Sequence, residues 1–424
     1  MNVAFYTLGC KVNQYETQVM REAFIKKGYT AVPTTAPFDV LIINSCTVTA
    51  ESDRKTRQIL HRFRKNNPNA VMVLTGCMVQ AFSGKAKELV GADIVIGNTD
   101  VLRVVESVQT FLSNGEPIFE VGEHKRTERF NTPSIENFSE RTRAYMKIED
   151  GCDRFCTYCI IPTARGWVRS KPINEIKAEA QRLSQNGFVE VVLVGINLTS
   201  YGKGEDINIC DAIDAVCEVE GIKRVRLGSL EPDHITDEML SRFKNQDKFC
   251  PQFHLSLQSG CDATLKRMNR HYDTAFYRDL VKRIRKAFPD AAITTDIMVG
   301  FAGESEQEFS ESLAFAKEIG FAKAHIFAYS RREGTVAYGL PNQVSNAEKT
   351  DRSRRMIETT LKTEEAFLES QIGTAQAVLF ENENEGYTKN YCRVKLQSGK
   401  VLVGEIAEVK IISRDKDTLI GVVK

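Results

Sequence analysis

The run CDRFCTYC places three cysteines, Cys152, Cys156 and Cys159, within eight residues. No fourth cysteine follows locally. A structural zinc site closes on four ligands, and a cubane that only carries electrons is likewise held by four thiolates. Three thiolates from one loop instead hold three irons of a [4Fe–4S] cluster and leave the fourth iron open. Zinc is disfavoured further, because none of the six histidines lies close in sequence to this loop. The open iron suits an amino-carboxylate chelate. That is how S-adenosylmethionine binds a reduced cluster and is cleaved homolytically, with the protein orienting the cofactor and excluding water.

A second set is scattered. Cys10, Cys46 and Cys77 each directly follow a strand expected from the sequence, NVAFYTLG, DVLIINS and AVMVLTG. In an open α/β sheet the carboxyl ends of the strands share one edge, where sites are built. Three cysteines far apart in sequence are therefore expected to meet. The plainer alternative is three unrelated buried thiols, since free cysteine is a favoured core residue. Each of the three, however, sits in a turn bearing Gly or Asn: LGC, INSC, TGC. Three thiolates again suggest a [4Fe–4S] cluster with one open iron, to which a soft sulfide or methylsulfide is suited. Cys210, Cys217, Cys250, Cys261 and Cys392 fit no ligand spacing.

The rest of the chain must position these two sets. At 424 residues, two to four domains are expected. With 42% hydrophobic and 27% charged residues the chain can bury sizeable cores without disulfide staples. The net charge of +1 excludes a global polyanion-binding surface and leaves nucleic-acid contact to local patches. No run of about 18 apolar residues and no basic leader is present, so a cytoplasmic protein without a membrane span is expected. Eleven cysteines, an odd number, point to metal or catalysis instead of a disulfide framework.

Strand and helix patterns alternate over 1–115, as in a small doubly wound α/β domain. A polar stretch, 116–141, reads as a linker. From 142 a second series begins, with strands AYMKIE, EVVLVGI, KRVRLGS, QFHLSLQ, AITTDIMVG and AKAHIFAYS. Six β/α units imply an open, partial (β/α)6 barrel, not a closed eight-fold one. It ends in one long helix, opened by a Ser345–Glu348 capping box and stopped near Gly373, which carries this part to 372. Residues 373–424 alternate short strands and turns, as in a small five-stranded all-β barrel.

With these pieces in order, the chain resembles the radical SAM superfamily: C-x3-C-x2-C after the first barrel strand, then VGINLTSYG, RLGSLEP, HLSLQSG and DIMVGFAGE. One departure is Ala302, where the family usually has proline in Gly-Phe-Pro-Gly. It alters loop stiffness, not chemistry. The pairing of two three-cysteine sets resembles the methylthiotransferase family over the whole chain, with a cluster domain, a radical SAM core and a C-terminal TRAM domain. TLGCKVNQYET and NSCTVT resemble its tRNA branch acting on N6-threonylcarbamoyladenosine, the MtaB type. The isopentenyladenosine branch tends to read Gly-Cys-Gln-Met-Asn and the ribosomal-protein branch Gly-Cys-Pro-Lys-Asn. Ser45 stands where Asn-Thr-Cys is usual and keeps the hydroxyl.

The resemblance implies an enzyme acting on adenosine 37 in the tRNA anticodon stem-loop. Two S-adenosylmethionine molecules are used: one methylates sulfur on the auxiliary cluster, the other yields the 5′-deoxyadenosyl radical. Hydrogen leaves C2 of the adenine and methylthio takes its place. A reduced donor such as a flavodoxin or ferredoxin is implied, and a monomer is expected. Cofactor contacts carried over are Tyr158 in the cysteine loop, Asn197, Glu231, Gln258 and Asp296 at strand ends, and Arg270. Ordinary turn capping is the structural alternative for polar residues at strand ends.

For RNA, the basic helix RKTRQILHRFRK at 54–65 and the terminal GYTKNYCRVKL, with Tyr387, Lys389, Tyr391, Arg393 and Lys395, offer charge and stacking faces. Two other functions compete. One is methylthiolation of a ribosomal-protein aspartate, against which the N-terminal motifs speak. The other is a non-catalytic iron–sulfur RNA-binding or electron-carrying protein, which would need every iron held by protein.

Overall fold

A computed structural model describes residues 1–138 and 142–424. The last residues of the stretch read as linker, 139–141, lie outside the described residues. The N-terminal sheet is parallel throughout. Its six strands run in the order Thr30–Val32, Asn2–Thr7, Val40–Ser45, Val71–Gly76, Ile94–Ile96 and Ile118–Glu120. The last of these comes from the stretch expected to be linker.

The alternation of the strands explains the layers. Val3, Val40, Ile42, Val71 and Val73 face the helices Lys11–Lys26 and Arg103–Asn114, while Ala4, Leu41, Ile43, Met72 and Leu74 face the helix Ala50–Asn66. Apolar residues on both faces are what a parallel sheet covered on both sides requires. The first of these cores is continuous with that of the central barrel, so the helix Lys11–Lys26 is packed between sheet and barrel.

The barrel is an arc of six parallel strands. Arg143–Lys147, Glu190–Val194 and Arg224–Leu227 form one half; Ser229–Leu230, Gln252–Leu255, Ala292–Val299 and Lys323–Ala328 form the other. The third β segment breaks at Gly228, where a side chain would stand 3.3 Å from the Leu193 carbonyl. The long helix spans Asn346–Glu369 and opens with the expected Ser345–Glu348 capping box. It ends at Ser370, ahead of Gly373. Five strands from Ala375 to Val423 close into the terminal barrel. Among the described residues no helix is long and apolar enough to cross a membrane.

Candidate functional site

Cys10, Cys46 and Cys77 follow three neighbouring strands of the N-terminal sheet, at their carboxyl ends. Strand order reverses between Asn2–Thr7 and Val40–Ser45, which opens the crevice in which doubly wound sheets hold ligands. Buried Asn13 ties the set together. Its Oδ1 lies 3.5 Å from the Cys10 sulfur and 3.9 Å from that of Cys77. Its Nδ2 donates at 3.0 Å to the carbonyl of Ser45, the residue before Cys46. Gly76 turns the chain into Cys77 at φ +96°, where a Cβ would stand 2.4 Å from Asn44 Oδ1 and 2.5 Å from the Ser45 carbonyl. Only glycine fits there.

Burial pushes the Cys77 thiol up to about 12, against the pull of the Arg165 guanidinium, and raises Cys46 as well. Metal binding must therefore displace protons from these thiols. Among the described residues no three His, Cys, Asp or Glu groups are disposed to hold a single metal ion. Cys10 is exposed while Cys46 and Cys77 are buried, which leaves one side of the set open.

The second set lies in the loop after the first barrel strand. Gly151 adopts φ +87°, and a Cβ there would collide with the Trp167 carbonyl at 1.9 Å. Cys152 N donates to the Gly166 carbonyl at 2.9 Å, and Thr157 N to that of Met268 at 3.0 Å, which pins both ends of the loop. Cys152, Cys156 and Cys159 all line one cavity of about 250 Å³, walled by Phe155, Trp167 and Val336. The Phe155 and Trp167 rings meet edge-on at 5.7 Å. Burial raises the Cys152 and Cys159 thiols, the latter to about 12. Three thiols around an apolar-walled cavity match the donor set of an iron–sulfur cluster with one iron left open.

The two sets are joined by a side chain that sequence reasoning passed over. Arg165 follows the cysteine loop in PTARGWV and is fully buried. Its Nε donates to the Cys77 sulfur at 3.1 Å and its terminal nitrogens grip Glu16 and, at 3.0 Å, Asn13 Oδ1. Lys147 pairs with Glu16 and with Asp150, each at 2.7 Å, and Arg169 with Asp150 at 3.2 Å. Arg169 also pairs with Glu128 at 3.5 Å, so three cations and three carboxylates form one buried network, of which Arg165 reaches the Cys77 sulfur.

The residues carried over as cofactor contacts divide. Glu231 and Arg270 pair at 2.6 Å, and Arg270 reaches the Cys156 sulfur at 3.3 Å, so both stand at the second cysteine set. Arg270 also donates to the Ser256 carbonyl at 3.0 Å. Tyr158 packs on Phe301 at 6.4 Å, in a small core with Met268 and Tyr329. Gln258 holds φ +67°, and its buried Oε1 has no hydrogen-bond partner among the described residues. An orphaned acceptor at a strand end is the feature a bound polar cofactor satisfies. Asn197 is spent locally: its Nδ2 donates to Ser200 Oγ at 2.7 Å and its Oδ1 accepts from Thr199 at 3.3 Å. Asp296 pairs with His254 at 3.2 Å and faces the lumen, not the cysteine cavity. Ala302 is buried in a loop that Glu304 fixes by accepting from Gly300 N at 2.6 Å.

The lumen of the barrel is a cavity of about 470 Å³, closed below by the terminal β-barrel and by the long helix. Tyr387 and Tyr391, expected to stack on RNA, instead stack on each other at 4.8 Å and clasp Arg143, 4.8 Å from each ring. Arg226 covers Tyr391 at 4.7 Å. A desolvated guanidinium gains more from aromatic faces than an exposed one does. In the basic helix, Arg54 is paired with Glu51 and Arg64 with Asp93, while Lys55, Arg57 and Arg62 remain exposed.

Comparison with known proteins agrees with this architecture. Residues 146–316 match the model of the radical SAM superfamily, and residues 2–97 that of an uncharacterized protein family designated UPF0004. The threonylcarbamoyladenosine tRNA methylthiotransferase MtaB of Bacillus subtilis is 37% identical over 97% of this chain and 93% of its own. That of Aquifex aeolicus is 36% identical over 97% and 100%. A tRNA-2-methylthio-N(6)-dimethylallyladenosine synthase of Clostridium perfringens is 34% identical over 98% and 96%. Among solved structures, the radical S-adenosylmethionine methyltransferase TsrM of Kitasatospora setae superimposes with a TM-score of 0.58 at 12% identity, covering 79% of this chain and 76% of its own.

Proposed function

Because the chain belongs to the radical SAM tRNA methylthiotransferase family, we propose that it methylthiolates C2 of N6-threonylcarbamoyladenosine at position 37 of tRNA. Its cofactors are two [4Fe–4S] clusters and S-adenosylmethionine. Cys152, Cys156 and Cys159 hold the radical-generating cluster in this reading; Cys10, Cys46 and Cys77 hold the auxiliary one. When bound, these groups supply the radical and the sulfur.

The chain's own residues do the positioning. Glu231 and Arg270 frame the cofactor beside Cys156, Gln258 offers it an unused acceptor, and Tyr158 buttresses the loop. Phe155 and Trp167 wall one side of the cysteine cavity. A flavodoxin- or ferredoxin-class donor supplies the electrons. The observation that carries the reading is the contact of Arg165, on the helix after Cys159, with the Cys77 sulfur at 3.1 Å, which supports two cysteine sets working together. The choice of threonylcarbamoyladenosine is supported by the GCKVN and NSC motifs and by the names of the Bacillus subtilis and Aquifex aeolicus relatives.

The test is mass spectrometry of digested tRNA from a strain lacking the activity, with and without this gene. The expected product is 2-methylthio-N6-threonylcarbamoyladenosine, lost in Cys10→Ala and in Cys156→Ala. Methylthio found only on dimethylallyladenosine would move the substrate and keep the chemistry. No methylthio nucleoside from cluster-loaded protein would overturn the reading.

A further inference from the structure

The barrel lumen is lined by four cationic side chains, and three of them are committed. Arg226 pairs with Glu190 at 2.9 Å, Lys323 with Glu364 at 3.2 Å and Arg393 with Glu385 at 2.6 Å. The fourth, Lys11, has no carboxylate within ion-pair distance among the described residues. Its ammonium stands 5.8 Å from the centre of the Tyr145 ring. Lys11 is accessible to solvent, yet it lines the cavity together with Arg226, Tyr387 and Tyr391. Lys11 also follows Cys10 directly, so this part of the cavity wall is one residue along the chain from the auxiliary cysteine set.

An uncommitted ammonium in an enclosed cavity is a site for an anion. Its neighbours Arg226 and Arg143 are cations too, with Glu190 the one carboxylate acting against them, so an entering anion is drawn to this end of the cavity. The volume, about 470 Å³, lies within the roughly 300–1,000 Å³ range of small-ligand pockets. Resting on the substrate proposed above, we infer that Lys11 binds the carboxylate of the threonylcarbamoyl group and thereby selects an acidic N6 substituent over a neutral one. The chemistry of the base agrees. On adenine, N6 and C2 are separated by the C6–N1 edge alone. A residue beside Cys10 that holds the N6 substituent turns C2 toward the auxiliary set. Lys11 is then a substrate-binding and specificity residue. A site built to bind a charged group strongly rejects the analogue lacking it.

The test measures binding of two anticodon stem-loop RNAs to the cluster-loaded enzyme. One carries the free threonyl carboxylate and the other its methyl ester. Wild type is expected to prefer the acid by roughly ten- to hundred-fold, as one charge-assisted contact gives. Lys11→Gln should bind the two alike, and Lys11→Arg should keep the preference. A Lys11→Gln enzyme that retains the wild-type preference overturns the inference. So does a wild type indifferent to esterification, a result that needs no variant to fold. If either appears while nucleoside analysis still finds the threonylcarbamoyl product, the inference alone has failed. If that product is absent and dimethylallyladenosine is modified instead, the substrate reading has failed and the inference with it.

Discussion

Arg165 Nε donates to the Cys77 sulfur at 3.1 Å, so a residue six positions beyond one cysteine set is hydrogen-bonded to a member of the other. The same guanidinium grips Glu16 with both terminal nitrogens, and neither side chain reaches solvent. Breaking a buried pair by removing one partner leaves an uncompensated charge, which costs about 3–5 kcal/mol. Arg165→Met should therefore lower the denaturant midpoint sharply and reduce iron retained at the auxiliary set. Arg165→Lys, which keeps the charge and loses the fork, should fall between. An unchanged midpoint in Arg165→Met would show that the contact carries no weight.

The two sets should be separable by chemistry. The triple variant Cys10/Cys46/Cys77→Ala is expected to keep about half the iron and still cleave S-adenosylmethionine to 5′-deoxyadenosine, because three thiolates suffice for each cluster. It should form no methylthio nucleoside. Cys152/Cys156/Cys159→Ala should also keep about half the iron but release no 5′-deoxyadenosine. Iron analysis and product chromatography on anaerobically loaded protein check both. Loss of all iron from either variant would contradict independent sites.

Gln258 should trade stability for function. Its Oε1 is buried without a partner among the described residues, and an unmet acceptor costs about 1–3 kcal/mol. Gln258→Met keeps the size and removes the acceptor. The ligand-free protein should gain about 1 kcal/mol, while S-adenosylmethionine affinity falls about tenfold. Urea unfolding and equilibrium dialysis read the two quantities. Equal affinity in the variant would remove Gln258 from the cofactor site.

Glu149 should give the protein a pH dependence. Burial raises its carboxyl to about 8, although Oε2 accepts from Asn197 N at 2.7 Å; Oε1 has no partner among the described residues. The folded state therefore holds a proton that the unfolded chain releases near 4.5. The stabilisation is complete below about pH 4.5 and is lost as pH rises toward 8, by about 1.4 kcal/mol per unit. Glu149→Gln cannot titrate. Between about pH 5.5 and about pH 7.5 the wild type should lose about 2–3 kcal/mol more than the variant in urea titrations. Parallel curves for the two proteins would refute the assignment.

Much of the fold was legible because the period of apolar residues is a local signal. The strands ending at Cys10, Cys46 and Cys77 read as strands since both sheet faces are covered, and the Ser345–Glu348 box marks a helix start by itself. The glycine of the TGC turn told as much: Gly76, turning the chain into Cys77, stands where a Cβ would strike the Ser45 backbone. The strand Ile118–Glu120 was not legible, because three half-exposed residues at a sheet edge carry no periodicity. Tyr387 and Tyr391 misled for a related reason. Composition marks aromatic and basic residues as partners, but it cannot say whether the cation is Arg143 of the same chain or comes with an RNA.

The sequence alone determined the two sets of three cysteines, one local and one at successive strand ends, on which the proposed clusters rest. Residue type and spacing along the chain decide that. The tertiary structure decided which groups surround those sets. Arg165 against Cys77, the orphaned Oε1 of Gln258 and the unpaired Lys11 in the lumen depend on distances between residues far apart in sequence. Burial and charge pairing are properties of the packed molecule. Asn197 and Arg270 were both carried over as cofactor contacts, yet packing turned one into its own loop and set the other beside Cys156.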